Sequence, residues 1–123
     1  MNQAGAWLTA LMDIDRAVEF SGDDVDQYSK LVDLGADYAN VMVIIPTITS
    51  STVGVTIQEE NLISEVPSPV YILDDDATGN FLHATTAATT AMAVKFEIGG
   101  ARYIRIKCGA NQAADRTFRV RGC

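Results

Sequence analysis

A chain of 123 residues that is 48% hydrophobic can bury the core of one domain and is too apolar for a disordered segment. Its net charge of −7 and pI near 4.4 argue against a general nucleic-acid binder, and no run approaches the ~20 apolar residues of a membrane span. Two cysteines, Cys108 and Cys123, are too few for a disulfide framework and form no CxxC pair, so free thiols are expected. The first residues lack a basic stretch ahead of a sustained apolar run, so no secretory signal is read there.

In chain order, Trp7, Leu8, Leu11 and Met12 would share one face of a short helix. Such a helix is marginal alone and must dock, either on its own domain or on a neighbouring subunit. Residues 1–16 are therefore read as an N-terminal arm and 17–123 as the folded domain. Ala17 to Phe20 is a candidate first strand, and Ser21-Gly22-Asp23-Asp24 a polar turn. Tyr28 to Leu34 reads as a half-buried strand and Gly35-Ala36-Asp37 as a turn. Tyr38 to Pro46 is β-branched, the most apolar stretch, and ends at a proline, which predicts a central strand.

Val53, Val55 and Ile57 alternate with Gly54, Thr56 and Gln58, a period-two strand. Pro69 opens a short strand over 70–73, as suits an edge. Phe81 to Thr90 reads as an extended loop or weak strand. Phe96 to Cys108 reads as a hairpin, with Gly99 and Gly100 in the tight turn that needs φ > 0. Ile104 and Ile106 would then face inward and Arg105 and Lys107 outward. Thr117 to Arg121 alternates again, with Phe118 and Val120 inward. About eight short strands separated by turn signals predict an all-β fold: a single antiparallel β-sandwich, jelly-roll-like, with the short arm at its start. Its expected core is Val41, Val43, Ile45, Val55, Ile57, Ile104, Ile106, Phe118 and Val120.

Charge is segregated along the chain. From position 95 onward stand Lys95, Arg102, Arg105, Lys107, Arg116, Arg119 and Arg121, seven of the nine basic residues, against Glu97 and Asp115 of the sixteen acids. Either these are solvated strand faces, or they meet an acidic partner surface. The expected partner-binding residues are Trp7, Leu8 and Leu11 of the arm with Arg105, Lys107, Arg119 and Arg121 of the basic strands.

Chemistry-bearing constellations are sparse. Asp74, Asp75 and Asp76, with Thr78 and Asn80 nearby, could offer oxygen ligands to a hard cation. The spacing is not an EF-hand, since Thr85 stands where the twelfth-position glutamate belongs, and a solvated turn explains the same residues. His83 is the single histidine and has no recognisable zinc partners. No serine sits in a Gly-x-Ser-x-Gly context. Gly99-Gly100 lacks the remaining pattern of a phosphate loop. No enzyme activity, metal or cofactor is expected.

Two resemblances add to this. Gly99-Gly100-Ala101-Arg102-Tyr103-Ile104-Arg105-Ile106-Lys107 is similar to late strands of discoidin-like and galactose-binding-like β-sandwiches. A longer series resembles small virion proteins of tailed bacteriophages, the capsid decoration or cement proteins and related β-sandwich modules. It comprises Val32-Asp33-Leu34-Gly35, Val43-Ile44-Ile45-Pro46-Thr47, Tyr71-Ile72-Leu73-Asp74-Asp75-Asp76, the same Gly99 to Arg105 run, and Thr117-Phe118-Arg119-Val120-Arg121-Gly122. That resemblance implies a structural protein made in the host cytoplasm and carried on the capsid surface. It would bind the major capsid protein across capsomers as a homo-oligomer, a trimer or dimer on a symmetry axis, with no nucleic acid or membrane as partner. The discoidin resemblance implies the alternative, a carbohydrate-binding module of a phage tail or cell-surface protein. It expects loop aromatics, but aromatics are only 7% of this chain.

Overall fold

Alternation of apolar and polar side chains lets one strand face fill a core while the other stays polar, and that period runs through most of this chain. The computed structural model describes residues 4–73, 79–81, 83–85 and 91–123, and from 71 to 85 the backbone alone. Its strands are β1 (Leu8–Met12), β2 (Val32–Ile45), β3 (Thr52–Gln58), β4 (Ser68–Pro69), β5 (Tyr71–Leu73), β6 (Gly79–Phe81), β7 (His83–Thr85), β8 (Met92–Cys108) and β9 (Arg116–Gly122). The fold is all-β and antiparallel, as the sequence predicts. One seven-stranded sheet runs β1-β9-β2-β8-β3-β4, with β7 also on β3, and β5 pairs with β6.

Two strands organise the sheet. β2 and β8 pair along most of their length, Val32 opposite Ile104 at one end and Ile45 opposite Met92 at the other. Register shifts fall between Asp33 and Tyr38 and between Tyr38 and Asn40. Gly35, Gly99 and Gly100 supply positive φ there, at 88°, 64° and 89°. The expected hairpin is thus absent: Gly99-Gly100 makes a bulge inside one long strand, and Gly35 lies within β2 rather than in a turn between strands. The residues on both sides of each glycine have partners on the same neighbouring strand, so the chain bends without reversing.

The bend lets the sheet curl. β9 flanks the second half of β2, pairing Val43 with Val120. β1 flanks β9, pairing Ala10 with Phe118. Residues 27–30 continue the line of β2 beside the end of β8: Ser29 N–H donates to Ile106 O at 2.9 Å and Cys108 N–H to Gln27 O at 2.8 Å. Lys30 N–H then donates to Leu11 O of β1 at 2.8 Å, bringing the far edge of the sheet back to its middle.

The first residues are corrected by this arrangement. Leu8–Met12 is a strand, not a helical face, and β1 pairs with β9 across the expected boundary between residues 16 and 17. Ala10 and Met12 are fully buried while Thr9 is exposed, a period of two. A short helix has little stability of its own, whereas the open edge of β9 offers backbone partners and a core to fill. Ala17 to Phe20, expected as a strand, lies in the loop from 13 to 31.

Val41, Val43, Ile45, Val55, Ile104, Ile106, Phe118 and Val120 are all buried as expected, while Ile57 is half-buried at the margin. Phe96, Ile98, Val53 and Cys108 join them. Each such large side chain contributes about 1.5–3 kcal/mol of transfer free energy. On β3 and the end of β8 the outer face is covered too, since Gly54, Thr56 and Arg105 are buried between inward Val53, Val55, Ile104 and Ile106. Hydrogen bonds from that face reach the loop from 13 to 31 and the loop from 59 to 67.

Candidate interaction surface

Register places the outward side chains of β1, β9, β2 and the first half of β8 in rows. Thr9 stands opposite Arg119, Arg119 opposite Ile44, and Ile44 opposite Ala93. In the next row Arg121 is opposite Met42, and Met42 opposite Lys95. Trp7 is 37% exposed and Ile44 39% exposed. The Arg121 guanidinium lies 5.5 Å from the Trp7 ring centroid, and its Nε donates to Gly5 O at 2.8 Å. Arg119 Nη1 donates to Thr9 Oγ1 at 2.7 Å. These bonds fix the orientation of both arginines and leave guanidinium donors for a partner. The face is apolar at Trp7, Met42 and Ile44 and basic at Lys95, Arg119 and Arg121, with Glu97 as the acid beside Lys95.

Of the seven expected partner-binding residues, Trp7, Arg119 and Arg121 share this face. Leu8 is half-buried and packs on the core, and Leu11 is half-buried one turn of the pleat beyond Thr9. Lys107 is half-buried with its ammonium 5.1 Å from the Tyr28 ring centroid. Arg105 is corrected outright: its exposure is 0%, so it offers nothing to a partner. Alternation did aim it away from the core, but two loops close over that side.

Arg105 holds those loops. Its Nε donates to Gln58 Oε1 at 2.8 Å, Nη1 to Glu19 Oε1 at 2.9 Å and Ser29 O at 3.2 Å, and Nη2 to Ile63 O at 3.2 Å. The Phe20 ring centroid lies 4.7 Å from its guanidinium carbon. Glu19 also accepts from Arg16, whose side chain is buried against Asp23 in a two-pronged pair. Arg16 Nε is the one buried side-chain polar atom without a partner among the described residues.

A cleft of about 640 Å³ opens at the glycine bulge, lined by Gly99, Gly100, Tyr103, Asp37, Glu59 and Glu65 among others. Arg102 borders it, donating to Asp33 at 2.7 and 3.2 Å and lying 5.4 Å from the Tyr103 ring centroid. The hydrogen bond from Arg102, with a second from Gly35 N–H, holds the Asp33 carboxyl below the usual carboxylate range. Glu65 accepts the amide N–H groups of Glu59 and Glu60 at 2.8 and 2.9 Å.

Asp74, Asp75 and Asp76 lie outside the described residues, so their cation reading is not placed. Asp13, Asp15 and Asp115 bring carboxylate oxygens within 4.8 Å of one another, yet two of them already accept backbone N–H groups of Ile14 and Asp15. Both cysteines are free, and burial pushes the Cys108 thiol up to about 11. No helix among the described residues is long and apolar enough to cross a membrane.

Sequence reasoning missed Met42, Ile44 and Lys95 as members of the face. The signal was present in the uninterrupted apolar run of residues 41 to 45, of which the expected core took only Val41, Val43 and Ile45 and left Met42 and Ile44 without a role. The fold fully buries only the odd-numbered side, which leaves Ile44 exposed and Met42 half-buried.

No family model matches the chain, and no curated protein is similar to it. Among the solved structures that match, the SPBc2 prophage-derived protein YomS aligns over 95% of this chain and 94% of that one, at 14% identity and a TM-score of 0.46. A likeness of that degree assigns no function.

Proposed function

We propose that this protein is a structural component of a tailed-bacteriophage virion. In this reading it decorates and cements the head shell, binding the major capsid protein across capsomers as a homo-oligomer, without catalysis or a cofactor. The observation that carries the reading is the exposed sheet face, where Trp7 and Ile44 stand among Lys95, Arg119 and Arg121 on paired strands. Exposed apolar residues rimmed by polar and charged groups mark protein contact surfaces, and a rim of three cations and one acid favours an acidic partner. The strand phrases shared with capsid decoration proteins supply the class of assembly.

A protein that binds only the assembled shell stabilises it by mass action, and several weak contacts from one oligomer add through effective concentration. The test is co-sedimentation with purified shells. Arg119→Glu with Arg121→Glu is expected to weaken binding by about tenfold or more at ~0.1 M salt, with the fold intact by circular dichroism. Undiminished binding by this variant, or no binding by the parent protein, would overturn the reading.

The cleft beside Tyr103 favours a second reading, a carbohydrate-binding module. An aromatic face with nearby carboxylates and an arginine is the donor set a sugar uses. Calorimetric titration with neutral and acidic oligosaccharides, with Tyr103→Ala as control, tests it. Heat of binding that this substitution removes would favour the module over the cement protein.

A further inference from the structure

Exposed apolar side chains also stand on the two loops that Arg105 joins. Val18 is 67% exposed, and Leu62, Ile63 and Val66 are 48, 54 and 55% exposed. They come from two loops that meet over Arg105, which holds Glu19 of the first and the Ile63 carbonyl of the second. Gln58 Nε2 adds a bond to Leu62 O at 2.9 Å. The backbone beneath the patch is therefore pinned by a buried cation, so these side chains are held in water by a fixed frame. Their surroundings are acidic. Glu59 and Glu60 are exposed on the second loop and Asp15 on the first; of the cations nearby, Arg16 is buried against Asp23, and Arg102, which shares the cleft with Glu59, is exposed but paired with Asp33.

The chain thus carries two apolar-centred surfaces of opposite charge. The sheet face has a basic rim, and the loop patch an acidic one. Patch against patch would set Glu60 against its own copy, and sheet against sheet would set Arg121 against its own copy. Only the crossed pairing joins unlike charges around both apolar centres.

We infer that copies of this chain associate head to tail, the loop patch of one copy seated on the sheet face of the next. The inference rests on the reading of the sheet face as a contact surface and names a second copy as its occupant, so that this face serves assembly and its variants weaken shell binding through lost avidity. A contact between different patches is heterologous, so it closes into a ring when the rotation permits and otherwise grows into a filament.

The test is sedimentation velocity of the full chain over a range of concentrations. Association is expected at ~0.05 M salt and should weaken about tenfold or more at ~0.5 M. Glu60→Lys and Arg121→Glu should each weaken it about tenfold, and a mixture of the two variants, or the double variant, should recover most of the loss. Ile63→Ser, which keeps the carbonyl held by Arg105, should weaken association without changing its salt dependence. Glu59→Lys with Arg119→Glu gives an independent pair if either first variant fails to fold.

A monomer at every concentration overturns the inference, as does a charge-swapped pair no better than its singles. Sensitivity to Arg121→Glu alone would mean sheet-on-sheet pairing and also overturns it. Patch variants that change shell co-sedimentation but not self-association assign the patch to the shell protein and overturn it too. A monomer that still co-sediments leaves the shell reading standing, whereas head-to-tail association without shell binding supports this inference and removes that reading.

Discussion

Arg105 ties several segments together, because its Nε, Nη1 and Nη2 each reach an acceptor on a different part of the chain: Gln58, Glu19 with Ser29 O, and Ile63 O. The arrangement contains a charge at 0% exposure with Glu19 still 21% exposed, so the cation is fully desolvated and its counter-ion only partly. Removing one partner of such a set costs about 3–5 kcal/mol, since the acceptors left behind stay buried. Arg105→Ala should lose that much in urea unfolding. Arg105→Met keeps an apolar stem but gives up the guanidinium contact with the Phe20 ring and strands Gln58 Oε1 and two carbonyls, so it should recover little; full recovery would mean that packing alone matters. The Asp33–Arg102 pair is different in kind because both groups stand in solvent, where such pairs contribute little. Its carboxyl is held low in the folded state, so its small contribution is present above the ordinary carboxylate range and lost as pH falls through the folded value. Cys108 works at the other end of the scale. Its thiol is raised from 9.0 to about 11 by burial, so between those values the unfolded chain gives up a proton that the folded chain keeps. Stability should therefore fall from about pH 9 to about pH 11 by this thiol's share, and Cys108→Ala should remove that slope. Under native conditions a thiol reagent should label the half-buried Cys123 and spare Cys108.

At the scale of elements, β1 decides whether the curled sheet closes. It brings Ala10 and Met12 into the core and accepts the Lys30 N–H at Leu11. Deleting residues 1–12 should therefore unfold or strongly destabilise the protein, where a free arm would leave the domain intact. Met12→Ala alone should cost about 2–5 kcal/mol by the cavity it leaves. The glycines of the bulge make a milder prediction. At Gly99 and Gly100 a Cβ would meet no neighbour, so only the positive φ opposes a side chain, at about 1–2 kcal/mol each. Gly122→Ala should cost more, because a Cβ there would overlap the Tyr38 ring that lies on it. Thermal melts of the three alanine variants should rank in that order. These elements also mark how far the sequence could be read. Period two placed the inward residues of β2, β8 and β9 and all of those expected on β3 but Ile57, which is half-buried at the margin, because burial on one face is a local pattern. The bend was not legible, since Gly99-Gly100 fits a hairpin turn as well as a bulge, and pairing with distant β2 decides between them. The burial of Arg105 was equally hidden: alternation fixes which face a residue takes, and only the tertiary path of two loops fixes whether that face is wet. For the candidate surface, the basic C-terminal strands announced Arg119 and Arg121, while Ile44 and Met42 stood outside the expected core and carried no charge to mark them as contact residues.

Over the whole molecule, the two ends of the chain are neighbours: Leu8 pairs with Val120 and Gly5 N–H bonds to Gly122 O. Contacts so far apart in sequence make folding slow, on the order of milliseconds to seconds, because loop closure must precede the pairing that rewards it. The same closure leaves the charges arranged in space, with carboxylates gathered at Asp13, Asp15 and Asp115 and on the 59–65 loop, and cations on the sheet face. Salt should then act in two opposite directions. Within one copy the net charge of −7 is repulsive, and screening exposed carboxylates relieves it. The ion pairs of Arg16 and Arg105 are buried and are screened far less. Dilute protein should consequently gain melting temperature as salt rises from ~0.05 to ~0.5 M, a range over which the screening length shortens from more than about 10 Å to only a few ångströms. Between copies the attraction is of unlike charges at the rims of exposed patches, so the same change of salt should dissociate them. Calorimetry at low concentration, beside sedimentation at high concentration, reads the two effects separately. A melting temperature that falls with salt in the dilute monomer would mean that attraction among surface charges, not repulsion, dominates this fold, and that the segregation of charge is satisfied within each copy rather than between copies.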